Sequence, residues 1–445
     1  MNKFSNNLKL PNKNYIFLLG VVTVFFIVGP NINLFGFELF YFVFYFSTFI
    51  IITLLAIFGK QKIYIPFIYL VPFLCVFCSL FFKIMFGFEY AIVDFLYLLR
   101  YLNLLLAFIL VYLVAQKFNI EQLQSMYKKY MYYFVFSLFF ISLIGVLQYF
   151  NSSLINNPIF RLLYEYNIED EYGIFNNFEH AERLNRISSI YIGAIQYSSY
   201  LVFLSLIVLN HSFNKKKKLL GYLVVISLAL IFLANSRASI AAAGLTMFLF
   251  LFYRKREKVF FIFLSTITFF LIVSISFNVT GFIKKNEKLG RIFEVFDMLD
   301  KGKIEGTGVD RLEDVRVILN YQLNSNYSLT GIPRGVYEKK FPFNSPGNQY
   351  LVWYFQYGIF GVFLSLWLLY MPIYYFKKFK KYRKFDKLNL NLLLMCLFLA
   401  NNVLSISQVY GLATRWKEIL FFLMACTYLY NKQMIIKFNE HRQIK

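Results

Sequence analysis

The chain has 445 residues, 59% of them hydrophobic and 21% aromatic, with a formal net charge of +23 and a mean hydropathy of +0.56. Soluble domains carry a clearly smaller apolar share, so this composition excludes a soluble globular protein and points to one integral-membrane domain over residues 1–445. The basic excess does not imply nucleic acid, because Lys and Arg sit in short clusters between apolar runs and no separate basic domain exists to carry it.

Helices of about 20 apolar residues cross the hydrocarbon core. In chain order, such spans are predicted at Tyr15–Phe35, Phe37–Phe58, Ile63–Phe82, Tyr90–Ala115, Tyr130–Phe150 and Ile187–Asn210. They continue at Leu219–Asn235, Ala238–Tyr253, Val259–Phe277, Gln349–Phe376, Leu388–Ser407 and Ile419–Asn431, about twelve in all. No cleavable signal is expected, since the run after Lys3, Lys9 and Lys13 is long enough to remain as a span. With the N-terminus in the cytoplasm, "GKQK", "QKFNIEQLQSMYKK", "NKKKK", "RKREK", "KKFKKYRK" and the basic C-terminal tail all fall on the cytoplasmic side. The two long loops, 151–186 and 278–348, then lie outside and mix both signs of charge.

The stretch "FLANSRASIAAAGLTMFLF" places Arg237 amid apolar residues with no nearby carboxylate. A single helix from Leu219 to Tyr253 would reach roughly 52 Å, too long for the core, so a hairpin is predicted with Arg237 at its outer turn. In the second long loop, Leu289, Ile292, Phe293, Phe296 and Leu299 recur at helical spacing, as do Leu312, Val315, Leu319 and Leu323. Both stretches are expected to lie on the outer membrane surface or to cap the bundle. "TGIPRG" and "FPFNSPGNQ" read as turns.

No phosphate-binding loop, metal-ligand cluster, dinucleotide turn or nucleophile elbow is present, and no cofactor or metal is expected. "LCVFCSL" has redox spacing but lies inside an apolar run, where helix packing is the better reading. The external arginines are the notable feature: Arg186, Arg237, Arg311, Arg316 and Arg334 fall where the positive-inside rule disfavours them. Guanidinium forks bind phosphate oxygens bidentately and keep their charge, so such a cluster suits a pyrophosphate on a polyprenyl carrier. Arg311 with Asp314, and Arg316 with Glu313, are equally spaced for ordinary ion pairs, and Arg334 suits a solvated turn. Within the fourth span, Asp94, Arg100 and Asn103 are polar groups in an apolar helix. Asp94 and Arg100 do not share a face; Arg100 would bind carrier phosphate or pair with an acid on another helix. The many Tyr and Phe residues are expected mainly to face lipid or form interfacial belts.

"ANSRASIAAAG", "LNRISSIYIGAIQYSSYL", "DRLEDVRVILNYQLNSNYSLTGIPRG" and "NQYLVWYFQYGIFGVFLSLWLL" resemble, in order and topology, motifs of the O-antigen polymerase (Wzy-type) and O-antigen ligase superfamily, over Arg186–Leu369. The resemblance implies an all-α polytopic, GT-C-like bundle in the bacterial inner membrane. It further implies a metal-independent glycosyltransferase using undecaprenyl-pyrophosphate-linked oligosaccharide at the outer face, with a chain-length regulator and a flippase as partners. On this resemblance Arg186, Arg237 and Arg311 handle phosphate in catalysis, while Arg100, Arg316, Arg334 and Asn348 contact substrate. His180, Asp310 and Glu313 are general-base candidates by location. Where ligases have a His before the Asn, this chain has Gly347–Asn348, which leans the reading toward a repeat-unit polymerase. A ligase acting on lipid A core or protein is the alternative. A flippase or transporter is a further one, weakened by the lack of an internal repeat in the sequence. The topology predicts that a cysteine placed at Ser325 reacts with an impermeant maleimide from outside; labelling only from inside would overturn it.

Overall fold

The computed structural model describes residues 64–88, 91–116, 118–150, 158–164, 167–170, 173–176, 188–189, 191, 194–215, 217–234, 236–254, 307–341, 347–407 and 416–443, with short pieces between 20 and 38. More than half of the first predicted span, nearly all of the second, the whole of the ninth, and the 289–299 stretch lie outside the described residues.

Two short antiparallel hairpins, β1 (Asn33–Leu34) with β2 (Phe37–Glu38) and β3 (Asn167–Asp170) with β4 (Gly173–Asn176), accompany the helices. The helices are α1 (Phe67–Met85), α2 (Ala91–Ala115), α3 (Ile120–Tyr149), α4 (Pro158–Tyr164), α5 (Ala194–Lys215) and α6 (Lys218–Leu233). They continue with α7 (Arg237–Tyr253), α8 (Thr307–Asn324), α9 (Arg334–Lys340), α10 (Gln349–Tyr357), α11 (Ile359–Tyr382), α12 (Leu390–Ser407) and α13 (Trp416–Gln443). Among the described residues α1, α3, α11 and Ile419–Ile436 of α13 are long and apolar enough to cross a membrane. Shorter apolar helices cover Tyr101–Ala115, α6, Ala238–Tyr253 and Leu390–Ile406. Large apolar side chains such as Phe77, Phe81, Phe136, Val225 and Phe363 point out of the bundle. Water would not tolerate so broad an apolar surface, but lipid does. The chain is a helical, membrane-embedded protein.

Local chemistry explains the boundaries. The Asn119 side chain accepts from the Gln122 amide while Gln122 returns a bond to the Asn119 amide, a capping box that starts α3. The helix therefore begins at Ile120, ahead of the predicted Tyr130; Leu123, Met126 and Tyr127 bury its first turns, where the sequence predicts a cytoplasmic loop. The hairpin predicted over Leu219–Tyr253 divides as its length required: α6 ends at Leu233, the Ser236 hydroxyl accepts from the Ser239 amide, and Arg237 is the first residue of α7. The predicted tenth span is not one helix. It breaks at Gly358 into α10 and α11, because Gly358 adopts φ 58°, ψ −135°, a conformation open in practice only to glycine.

The aromatic residues also depart from expectation. Tyr69, Tyr127, Tyr197, Tyr200, Tyr375 and Tyr430 are among the largest fully buried side chains. Several bury their hydroxyls with partners: Tyr69 with Tyr375 (3.3 Å), Tyr127 with Asn210 (3.2 Å) and Tyr430 with Gln124 (3.0 Å). A buried phenol is stable when its hydroxyl is satisfied, so tyrosine here fills core as well as facing lipid.

Long-range polar contacts sort into two ends. At one, Ser79 meets the Thr330 carbonyl, Lys83 meets Asp94, and Asn348 meets the Ile406 carbonyl. At the other, Asn210 and Asn214 donate to the Leu388 carbonyl, Arg254 donates to Asn214, and Asn391 and Asn431 exchange reciprocal amide bonds. There the Asp386 carboxylate caps α12 through the Leu390 and Asn391 amides; burial raises its pKa while these bonds oppose the rise. The basic segments around Lys217 and Lys377–Lys387 cluster at this second end.

A Cβ at Gly358 would drive into the Leu329 carbonyl, besides being strained at positive φ, whereas one at Gly221 on α6 meets open space. Gly358→Ala is therefore expected to cost about 2–3 kcal/mol and lower the melting temperature in detergent, with Gly221→Ala as the neutral control. Equal melting of both variants would contradict this account of the break.

Candidate functional site

A broken helix in an apolar setting leaves backbone groups that must find partners, since each unsatisfied one costs several kcal/mol in hydrocarbon. Here the partners come from elsewhere in the chain. The Ile359 amide donates to the Leu329 carbonyl (3.1 Å), and the Ile332 amide donates to the Phe355 carbonyl (2.6 Å). The fully buried Gln322 of α8 donates its side-chain amide to the Tyr354 carbonyl (3.1 Å) and the Tyr327 carbonyl (3.3 Å). The segment Tyr327–Pro333, which contains "TGIP", is thereby threaded into the break between α10 and α11. Gly331, at φ 81°, lets the two backbones touch.

A further carbonyl at the break, that of Gln356, accepts from the ammonium of Lys83 (2.7 Å). Lys83 also donates to Asp94 Oδ2 (2.7 Å) and to the Ile332 carbonyl (3.4 Å), and is fully buried. Asp94 Oδ1 in turn accepts from the backbone amide of Arg334, the first residue of α9 (3.2 Å). The pair is thus wedged with a defined polarity. Its cation faces the carbonyl end of α10, where helix partial charge is negative, and its anion takes the first amide of α9. Lys83 also lies 5.8 Å from the Tyr357 ring centre; Tyr357 meets Tyr101 edge-on, and Lys417 sits 5.4 Å over Tyr101. A chain of cations and aromatic rings therefore ties α1, α10, α2 and α13 together at this end.

Around the clasp, Ile318, Ile332, Val336, Phe341 and Phe355 form a small separate apolar core that seats α8 and α9 over α10. The amphipathic stretch Leu312–Leu323 thus caps the bundle: Ile318 and Gln322 point inward, while Leu323 stays exposed. Tyr337 on α9 titrates high, pushed up to about 12 by burial and by Asp314, with Arg334 opposing the shift.

The sequence-predicted residues fall as follows. Arg334 is half-buried at the clasp, held through its backbone. Arg316 and Glu313 are exposed on α8, and no ion pair forms between them. Asn348 caps α10 by accepting from the Tyr350 and Leu351 amides, and its side-chain amide reaches the Ile406 carbonyl near the end of α12. Its polar atoms thus already serve the scaffold. Arg237 starts α7, a helix that packs along α12, so its backbone belongs to the neighbourhood of that tie. Asp310 and Arg311 lie in α8 and Arg100 in α2, while the side chains of these three and of Arg237 lie outside what is described. His180 and Arg186 lie wholly outside the described residues. Among the described residues no group of three or more His, Cys, Asp or Glu is placed to hold a metal ion.

Lys83 lies one residue past the predicted end of the third span at Phe82, whereas α1 runs on to Met85. The signal was present: "FFKIMFGFEYAIVD" puts a cation and an acid on the two arms of one tight helical turn. Comparison with known proteins finds no family model that matches the chain and no curated protein that matches it.

Lys83→Met would leave Asp94 buried without its cation, and a loss of about 3–5 kcal/mol is expected. Exchanging the charges, Lys83→Asp with Asp94→Lys, restores a pair but sets a carboxylate against the Gln356 carbonyl and an ammonium against the Arg334 amide. The exchange is expected to melt no higher than Lys83→Met; full recovery would contradict the polarity argument.

Proposed function

We propose that the protein is a polysaccharide repeat-unit polymerase of the bacterial inner membrane, with both termini cytoplasmic and the clasped end outward. In this reading a hydroxyl on the acceptor's non-reducing sugar attacks the anomeric carbon of a glycan carried on undecaprenyl pyrophosphate. The new glycosidic C–O bond forms as the bond to the pyrophosphate oxygen breaks, and undecaprenyl pyrophosphate departs. The hydroxyl proton passes to a general base, with His180, Asp310 and Glu313 as the candidates.

The observation that carries the reading is the docking of an arginine-bearing segment onto the end of a membrane bundle. Arg311, Arg316 and Arg334 belong to helices fastened at the break between α10 and α11, not to a free loop. Arg237 opens α7 beside α12, the helix whose end is tied to Asn348. Such a placement suits cations that meet a lipid-linked pyrophosphate at the edge of the hydrocarbon and stabilise charge as it departs. In this reading Arg186 joins them from the first external loop, and Arg100 approaches carrier phosphate from within the bundle. A transporter would use the ends of a broken helix for its cargo. Here the Gln356 carbonyl and the Ile359 amide are already taken by the chain's own groups, which favours a fixed scaffold.

Arg237→Ala is expected to abolish chain extension in cells without loss of protein, a drop of roughly 10²–10³-fold in rate. Arg237→Lys should recover part of it, since it keeps charge but loses the fork. Glycan analysis separates the reaction classes. Single repeats on the lipid core indicate lost polymerisation, whereas long chains left on the carrier indicate lost ligation and would favour the ligase reading. Normal long polymer from Arg237→Ala would reject the phosphate role.

A further inference from the structure

We propose that α11 binds an anionic phospholipid along its outward face, with the acyl chains on its apolar turns and the headgroup at Lys377, Lys380 and Lys381. The proposal is independent of the enzymatic reading. One stripe of α11 is exposed along its length: Val362, Phe363, Leu366, Leu369, Tyr370 and Ile373 leave 39–55% of their surface uncovered. At helical spacing this stripe continues into Lys377, Lys380 and Lys381, which are likewise exposed. The surface that lies against hydrocarbon therefore becomes cationic without turning away from the lipid.

The depth of that change is fixed internally. Trp367 donates to the Ile68 carbonyl (2.7 Å), and Tyr375 meets Tyr69 in the first turn of α1. Past Tyr375, α11 runs on to Tyr382, about 10 Å beyond the level of Tyr69 at 1.5 Å per residue. A helix of this kind emerges from the hydrocarbon there, at headgroup level. The overhang is rigid, because Phe376 and Phe379 pack against Tyr253 of α7 and Arg383 donates to the Tyr253 carbonyl. The ammonium groups are also placed: Lys380 lies 4.4 Å over the Phe376 ring and Lys381 5.6 Å over Tyr382. Among the described residues no carboxylate pairs with them, the nearby Asp386 being buried and committed to the amides of Leu390 and Asn391. Fixed cations above an exposed apolar stripe match a phosphodiester above its acyl chains.

The test uses the full chain in nanodiscs of mixed phosphatidylglycerol and phosphatidylcholine, with spin-labelled lipids reporting relative association. Wild type is expected to prefer phosphatidylglycerol, and 0.5 M salt should weaken the preference. Each interfacial cation contributes up to roughly fivefold, so Lys377→Gln/Lys380→Gln/Lys381→Gln should lower the preference by up to about a hundredfold. Lys339→Gln/Lys340→Gln, at the opposite end, should leave it unchanged. An unchanged preference in the triple variant, or none in wild type, would overturn the proposal. So would inorganic phosphate displacing the lipid at millimolar concentration, since the site would then recognise phosphate without its chains.

Discussion

A helix interrupted inside an apolar bundle exposes carbonyls and amides that water cannot reach, and the Lys83–Asp94 pair is this chain's answer to that constraint. Its ammonium occupies the carbonyl end of α10, and its carboxylate takes the first amide of α9. Two charges buried together rarely gain much over a well-packed apolar pair. They gain here because each also satisfies a backbone group that the break has freed. The interaction therefore joins three parts of the chain: the α1–α2 turn, the segment Tyr327–Lys340 and the α10–α11 break.

The consequence reaches function through geometry. A loop attached only at its ends would sample many positions, and charge placed on it would be poorly aimed. Clasping fixes α8 and α9 over α10, so Arg334 stands at a defined place relative to the bundle. Asn348 performs the matching task at the opposite end of α10 by tying it to α12. α10 is therefore gripped at both ends, and of the arginines proposed to meet pyrophosphate Arg311, Arg316 and Arg334 are mounted on helices seated against it. Preorganised charge of this kind stabilises a developing anion without reorganising during the reaction.

Much of the fold was legible from residue type and spacing. Apolar run length marks the membrane helices, and the excess length from Leu219 to Tyr253 requires the split before Arg237 that Ser236 caps. The 3.6-residue recurrence of Val315 and Leu319 anticipates α8 and its role as a cap. The break at Gly358 was hidden because an apolar run reads as continuous whatever its backbone does. Its cause is long-range: a glycine at positive φ is needed only because the Leu329 carbonyl arrives there. Lys83 was hidden for a related reason, since a cation at the end of a run looks like an interfacial residue until its partners fold around it. The arginines could be named as cations in unusual places, but sequence spacing does not report distance between loops.

The central claim, that this end of the bundle joins glycans by displacing a carrier pyrophosphate, is tested most directly with purified protein in nanodiscs supplied only with the undecaprenyl-pyrophosphate-linked repeat. The account predicts a ladder of products, with one undecaprenyl pyrophosphate released for every glycosidic bond formed, and loss of the ladder when Arg237 is replaced by Ala. Substrate that stays as single repeats with wild-type protein, or bonds formed without matching release of undecaprenyl pyrophosphate, would contradict it.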